Sequence, residues 1–321
     1  MEPVLSVIIV SWNTRELLKN CLLALQQSPA AHGAQVMVVD NGSSDGTVAM
    51  VRGDFPLVEI ITSNRNLGFA AANNLAVPLA RGRYVLFLNP DTEVTNGAIE
   101  AMLRLMENLP DVGVVGTTLL NSDGSLQPSC HPYYSFFYSL QHNRLVDRIT
   151  DRWRISDVQR VNQAADVEWM FGACLLVRRA VLEQVGGFDP DFFVYGEEMD
   201  LQFRIRQAGW RIVYAPSSGV LHHGGQSAQQ SPLAASLHDY RGRWLFIRKH
   251  YSALSAGVYL AKTIAGLVVW LGYWSARVAV GAGHEARQQW RDYWQLLIWH
   301  LGNRGRPPVP RSALPSEELN R

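Results

Sequence analysis

The chain has 321 residues, 47% of them hydrophobic and 18% charged, with a formal net charge of +1 and three cysteines. That length and apolar content suffice for one large α/β domain with an appendage and exclude a disordered chain. Cys21, Cys130 and Cys174 are odd in number, far apart and free of C-x-x-C or Cys/His spacing, which argues against a disulfide framework or a zinc site and fits a reducing cytosol.

Met1-Glu2-Pro3 leads straight into the apolar run Val4 to Val10 with no basic region and no small-residue cleavage site, so a first strand is expected there and not a signal peptide. Further apolar runs follow at Val36 to Val39, Val58 to Ile61, Tyr84 to Leu88 and Val112 to Val115. Between them, Asn13-Thr14, Ser43-Ser44-Asp45 and Thr95-Asn96 are suited to cap helices, the first through Gln27 and the third through Glu107. This alternation predicts a mainly parallel sheet flanked by helices. In such sheets ligands sit beyond the carboxyl ends of the strands. The residues to weigh are therefore Ser11, Asn13, Asp40, Asn41, Asn64 to Asn66 and Asn89-Pro90-Asp91.

From Pro132 to Asn162 the chain is irregular, aromatic and arginine-bearing, and reads as an insertion on the acceptor side. Regular structure is expected to return with Val167 to Val177, then a helix from near Arg179, a break at Gly186-Gly187, a helix from about Glu198 to Ala208 and a strand at Trp210 to Tyr214. Beyond His222-His223-Gly224-Gly225 the character changes. From Arg241 onward there are 12 Lys or Arg against 4 Asp or Glu, and six of the ten tryptophans lie there. Basic residues interleaved with tryptophan suit an anionic membrane surface, and no motif for nucleic acid accompanies them. Ser255 to Gly281 is apolar almost all round, but its uncharged stretch between Lys262 and Arg277 is shorter than the roughly 18 to 20 residues needed to span a bilayer. It reads as an in-plane or re-entrant helix.

Five places carry chemistry. Asp40 beside the Asn41-Gly42 turn can accept hydrogen bonds from a base or ribose. Asn66-Leu67-Gly68 opens a helix whose N-terminus attracts phosphate, and Asn66 and Asn73 are expected near the same end of the sheet. Asp91, with Asn89 before it, closes a strand where a magnesium or manganese ion holding a diphosphate would bind. Glu197, Glu198 and Asp200 put three acids into four positions of one helix, where successive residues point about 100° apart, so one can serve as base while another pairs with an arginine such as Arg204. His222 or His223 can complete a metal site with Asp91.

Several segments, taken in order, resemble the family 2 glycosyltransferases, and among them the rhamnosyltransferase-like branch of bacterial surface polysaccharide synthesis. They are Val7 to Asn13, Val38 to Gly46, Asn66 to Ala70, Leu88 to Asp91, Trp169 to Ala173, Gly186 to Asp189, Tyr195 to Leu201 and His222 to Gly225. The resemblance implies a GT-A fold and an inverting, metal-dependent transfer of a sugar, rhamnose first, from a dTDP- or UDP-sugar to a lipid-linked glycan. It implies that Ser11, Asn13, Asp40, Asn66, Gly68, Asn73 and Asn89 line the nucleotide, that Asp91 and His222 hold Mg2+ or Mn2+, and that Trp169, Gly172 and Ala173 form the acceptor loop. Glu198 falls where the family usually has the aspartate that acts as base, with Glu197 and Asp200 as alternates. Two positions depart from the broader pattern: Asn89 stands where many relatives carry a further acid, and Glu198 is one methylene longer than aspartate.

The organisation expected is a GT-A domain over residues 1–228, its nucleotide half to about 120, then a helical membrane-associated region over 229–303 and a loose tail over 304–321. The expected location is the cytoplasmic face of the cell membrane. Two other readings compete: a catalytically inactive scaffold with this fold, which the glutamate at the base position favours, and a sugar nucleotidyltransferase, against which Ser11-Trp12-Asn13-Thr14 follows the first strand where a glycine-rich basic loop would be needed.

Overall fold

The computed structural model describes residues 3–95, 97–131, 133, 163–224, 232–281 and 283–302. Nearly all of the expected insertion over Pro132 to Asn162, and the tail from Arg304, lie outside these residues. The chain divides into two compact units, Met1–Tyr133 with Arg154–Gln230, and Tyr134–Trp153 with Ser231–Arg321.

The first unit is a sheet covered by helices. Strand β1 (Leu5–Ser11) is buried at every position, as a parallel strand covered on both faces must be. It pairs in parallel with β2 (Gln35–Asp40) on one side and β4 (Tyr84–Leu88) on the other, and β2 pairs in parallel with β3 (Glu59–Thr62). Helix α1 (Arg15–Gln27) buries Leu18, Cys21, Leu22 and Leu25, the spacing of one helical face. Those side chains pack with Val7 and Ile9 of β1 and with Met50 and Val51 of α2 (Thr47–Asp54), each buried leucine contributing about 1.5–3 kcal/mol. Thr14 stands at the N-cap of α1, yet its side chain makes no cap bond. Asp45 takes that part from across the sheet edge, accepting from the Arg15 N–H through Oδ2 and from the Thr47 N–H through Oδ1. One carboxylate so caps the first turns of two helices.

The other half departs from a simple parallel alternation. After β5 (Thr92–Val94) and α4 (Ala98–Asn108), β6 (Val112–Leu120) turns back through β7 (Leu126–Gln127), and β8 (Cys130–His131) pairs with β10 (Trp169–Met170) in a separate two-stranded sheet. The regular stretch expected over Val167 to Val177 is two strands with a break between them. Only β11 (Cys174–Arg178) enters the main sheet, running antiparallel between β4 and β6. The break has a tertiary cause: the side chain of buried Gln202 accepts from the Met170 N–H and donates to the Met170 carbonyl, while the Phe171 N–H goes to Ser129 O, so this backbone finds its partners outside the main ladder. The expected strand at Trp210 to Tyr214 and the residues after it form one long β12 (Arg211–His222), which pairs in parallel with β6 and in antiparallel with β5 and with the short β9 (Ala165–Asp166). The order across the sheet is β3-β2-β1-β4-β11-β6-β12-β5. Helices α5 (Arg179–Val185) and α6 (Glu197–Gln207) follow β11.

Among the described residues the second unit contains three helices, α7 (Pro232–His250), α8 (Ala253–Ala279) and α9 (Gly283–Gly302). Leu267 of α8 is buried against Leu296 and Leu297 of α9, and Trp270 stacks on Tyr293. The N-terminus of α8 is capped by Ser252, which accepts from the Ser255 N–H. By length and composition α8 is long and apolar enough to cross a membrane. Its outward residues Val268 and Val269 are about half exposed.

Candidate functional site

Parallel pairing brings the carboxyl ends of β1, β2, β4 and β12 to one edge. Ser11 pairs with Asp40 at the ends of β1 and β2, and His222 at the end of β12 lies opposite Thr92, directly after Asp91. The antiparallel β11 enters from that same edge, with Cys174 opposite Leu88 and the Asn89 N–H donating to Ala173 O.

On the nucleotide side, Asp40 is buried, and one of its oxygens accepts from the Ser43 N–H. The other, Oδ1, has no hydrogen-bond partner among the described residues. A buried carboxylate oxygen left without a donor is costly and suits a ligand that supplies one. Asn13 adopts a left-handed backbone, with φ of 52°, and its Oδ1 accepts from the Ser44 N–H. Ser11 shares a hydrogen bond with Thr14. Asn41 holds the next loop: its carbonyl oxygen accepts from the Leu67 N–H, and its amide donates to Asn66 Oδ1 and Gly68 O. Gly68, with φ of 85° and ψ of 166°, lies in backbone space open to glycine alone. A Cβ there would also fall 2.4 Å from Phe193 O, which accepts from the Phe69 N–H. Asn73 is fully buried on α3 (Phe69–Ala76) and donates to the Phe69 carbonyl one turn back, so its amide serves the helix. That departs from the nucleotide-lining role expected of it.

On the metal side, His222 Nε2 lies 3.5 Å from Asp91 Oδ1. His222 Nδ1 is 2.7 Å from Gln127 Oε1. Asn89 Oδ1, two residues before Asp91, is buried with no hydrogen-bond partner among the described residues. His223 is engaged elsewhere, between Glu93 at 2.9 Å and Ser122 at 2.9 Å. No cluster of three or more His, Cys, Asp or Glu suited to a metal occurs among the described residues. Two protein ligands fit Mg2+ or Mn2+ nonetheless, because such ions keep several waters and take further oxygens from a substrate's phosphates.

On the acceptor side, the three acids of α6 separate by environment. Asp200 is buried and receives Arg204 Nε at 2.7 Å, while the rest of that guanidinium donates to Val185 O and Gly187 O. This is the acid–arginine pair expected from the spacing, and it ties Asp200 to the chain break at Gly186-Gly187, away from the role of alternate base. Glu197 is only 4% exposed, and its Oε2 has no partner among the described residues. Burial, and then the charge of Glu198, raise its carboxyl well above the usual range. Glu198 is half-buried, accepts from the Gly196 N–H through Oε2, and packs its side chain on Gly172, where a Cβ would come within 3.2 Å of Glu198 Cβ. Trp169 is buried and forms an aromatic cluster with His131 and Phe171. Gln127 is the residue that sequence reasoning missed, and Asn41 was weighed at its strand end without a role. Nothing in the composition of Asn121 to Gln127 ties Gln127 to a histidine 95 residues away.

Comparison with known proteins identifies the family and the fold. The family model described as glycosyl transferase family 2 matches residues 6–186. The N-acetylglucosaminyl-diphospho-decaprenol L-rhamnosyltransferase of Mycobacterium tuberculosis is 30% identical over 267 residues, 78% of this chain and 86% of that protein. Rhamnosyltransferase WbbL of Escherichia coli is 27% identical over 165 residues, 49% of this chain and 61% of that protein. Among solved structures, the mannosyltransferase PcManGT of Pyrobaculum calidifontis, in complex with GDP-Man and Mn2+, superposes with a TM-score of 0.58 at 16% identity, covering 94% of this chain and 88% of that one. That similarity carries the fold, a GT-A sheet with a helical C-terminal region.

Proposed function

We propose that this chain, which belongs to glycosyl transferase family 2 in its rhamnosyltransferase-like branch, transfers a sugar, rhamnose first, from a dTDP- or UDP-sugar to a hydroxyl of a lipid-linked glycan. The acceptor class rests on the decaprenol-linked substrate in the name of the mycobacterial relative. One observation carries the reading: a buried Asp40 oxygen awaiting a donor, the Asp91–His222 pair and the Glu198–Gly172 contact all belong to one edge of one sheet.

Asp40 accepts hydrogen bonds from the nucleoside, and Asn13 and Asn66 hold the loops around it. Asp91 and His222 would hold a divalent ion, with Asn89 beside them. Such an ion supplies positive charge for the departing nucleoside diphosphate. Glu198 takes the proton from the acceptor hydroxyl as its oxygen bonds to the anomeric carbon and the bond from that carbon to the diphosphate breaks. A single displacement of this kind inverts the centre and needs one base. Gly172 keeps the space over Glu198 clear, and the Trp169, His131 and Phe171 cluster flanks that loop.

The helical unit supports work at a membrane surface. Between Pro232 and Gly302 it carries eight Lys or Arg against three Asp or Glu. Exposed Arg287 and Arg291 lie on the same face of α9 as exposed Trp294, Ile298 and Leu301. A basic, indole-bearing apolar face fits an anionic leaflet, and so the cytoplasmic side. Because α9, with Arg291 and Asp292 near its middle, packs along α8, a span by α8 would bring charges into hydrocarbon, which favours an in-plane arrangement.

The test is release of nucleoside diphosphate from a panel of nucleotide sugars, with Mn2+ or Mg2+ and membrane lipid extract. Release with one donor, abolished by Asp91→Ala and by Glu198→Gln, is the expected result. No release with any donor would return the chain to the inactive scaffold.

A further inference from the structure

We propose that Gln127 is a positioning residue that fixes His222 as its Nδ1–H tautomer and so turns an Nε2 lone pair toward the place where Asp91 would hold a divalent cation. This deepens the metal reading above and rests on it.

The turn between β6 and β7 is held by its own hydrogen bonds. The Asn121 N–H donates to Ser125 O, the Gly124 N–H donates to Asn121 O, and Asp123 Oδ1 accepts from both the N–H and the hydroxyl of Ser125. The turn is thereby closed without help from the rest of the site. Asn121 donates its side-chain amide to Ser125 Oγ, which fixes which end of that amide is oxygen. Asn121 Oδ1 then accepts from Gln127 Nε2 at 3.0 Å, and the His222 carbonyl accepts from the same nitrogen at 3.4 Å. Two acceptors around one end of the Gln127 amide require that end to be the NH2. The other end, Oε1, is the atom 2.7 Å from His222 Nδ1. Oxygen there can only accept, so Nδ1 carries the hydrogen.

In a neutral imidazole the second nitrogen is then an acceptor. That nitrogen, Nε2, faces the Asp91 carboxylate at 3.5 Å with no hydrogen between them to bond. Two lone-pair donors held this close oppose each other unless a cation sits between them. Ligating histidines are fixed in this way by a partner on the far nitrogen, and loss of such a partner weakens metal affinity about 10- to 100-fold. Here the partner is carried by a two-residue strand that pairs Leu119 with Gln127, so the ladder of β7 on β6 sets its position.

Two measurements test this on the full chain. In the 15N spectrum of histidine-labelled protein, with His222 assigned by loss of its signals in His222→Ala, the Nδ1–H form is expected; an Nε2–H form overturns the proposal without any variant at Gln127. Binding of Mn2+ alone, read from the free-ion electron paramagnetic resonance signal, is expected to weaken about tenfold or more in Gln127→Leu. Gln127→Leu should cost nothing further in a His222→Ala background. If His222→Ala weakens Mn2+ binding while Gln127→Leu leaves it unchanged, Gln127 has no positioning role. If His222→Ala itself leaves binding unchanged, the metal reading falls and this inference with it.

Discussion

Glu197 and Glu198 adjoin in sequence and are opposite in situation, and exchanging each for glutamine separates the base from its neighbour. Glu197 is buried and its carboxyl is raised well above 4.5, by burial first and by the charge of Glu198 second. The folded protein then holds a proton that the unfolded chain has released, so stability present below the unfolded value is lost as pH rises toward the folded value. The slope is about 1.4 kcal/mol per pH unit across that window. Glutamine is close in shape to the protonated acid and cannot ionise. Glu197→Gln should therefore match the parent in urea unfolding near pH 4, exceed it at pH 8, and keep nucleoside diphosphate release within several-fold. Glu198→Gln should leave the urea midpoint nearly unchanged, because the side chain is half-buried, and should lower turnover about 10²- to 10⁴-fold through loss of the general base. A folded Glu197→Gln as inactive as Glu198→Gln would refute the assignment, and so would a Glu197→Gln protein that keeps the parent's loss of stability toward high pH.

Three further outcomes follow from the same geometry. Gly68→Ala forces a Cβ to within 2.4 Å of Phe193 O at a φ of 85°, so it should destabilise the protein by about 1–3 kcal/mol and weaken nucleoside diphosphate binding measured by calorimetry; an unchanged melting temperature would count against this backbone. Cys21, Cys130 and Cys174 are all buried, and burial pushes the thiols of Cys21 and Cys174 up to about 12. A thiol reagent at pH 8 should leave the native protein unlabelled and modify all three cysteines in urea, whereas rapid native labelling would contradict the packing. Val268→Glu with Val269→Glu should reduce flotation with phosphatidylglycerol vesicles by at least about tenfold while leaving nucleoside diphosphate release with a soluble acceptor intact; equal flotation would remove α8 from the membrane surface.

The residues that sequence reasoning gathered from strand ends do meet at one edge, because the carboxyl end of a parallel strand is fixed by chain direction alone. Ser11, Asp40, Asn89 and Asp91 needed only the order of apolar runs to be placed at that edge. The pairing of Asp200 with Arg204 was equally legible, since positions four apart on a helix are neighbours. Asn73 misled for a similar reason. Spacing put it near the right end of α3, but a buried amide must find a partner, and the nearest was the Phe69 carbonyl in its own helix.

Local pattern determined the strand runs, the helical faces and the acid-rich start of α6, because periodicity and capping are properties of neighbours along the chain. Tertiary structure decided which neighbours across the chain compete for the same atoms. It alone set β11 antiparallel between β4 and β6, broke Val167 to Val177 where Gln202 occupies the Met170 backbone, and buried Glu197 while leaving Glu198 half-exposed on Gly172. It also brought Gln127 to His222 across 95 residues. Burial and long-range hydrogen bonding depend on where distant segments come to rest, and the order of residues within a segment does not encode that.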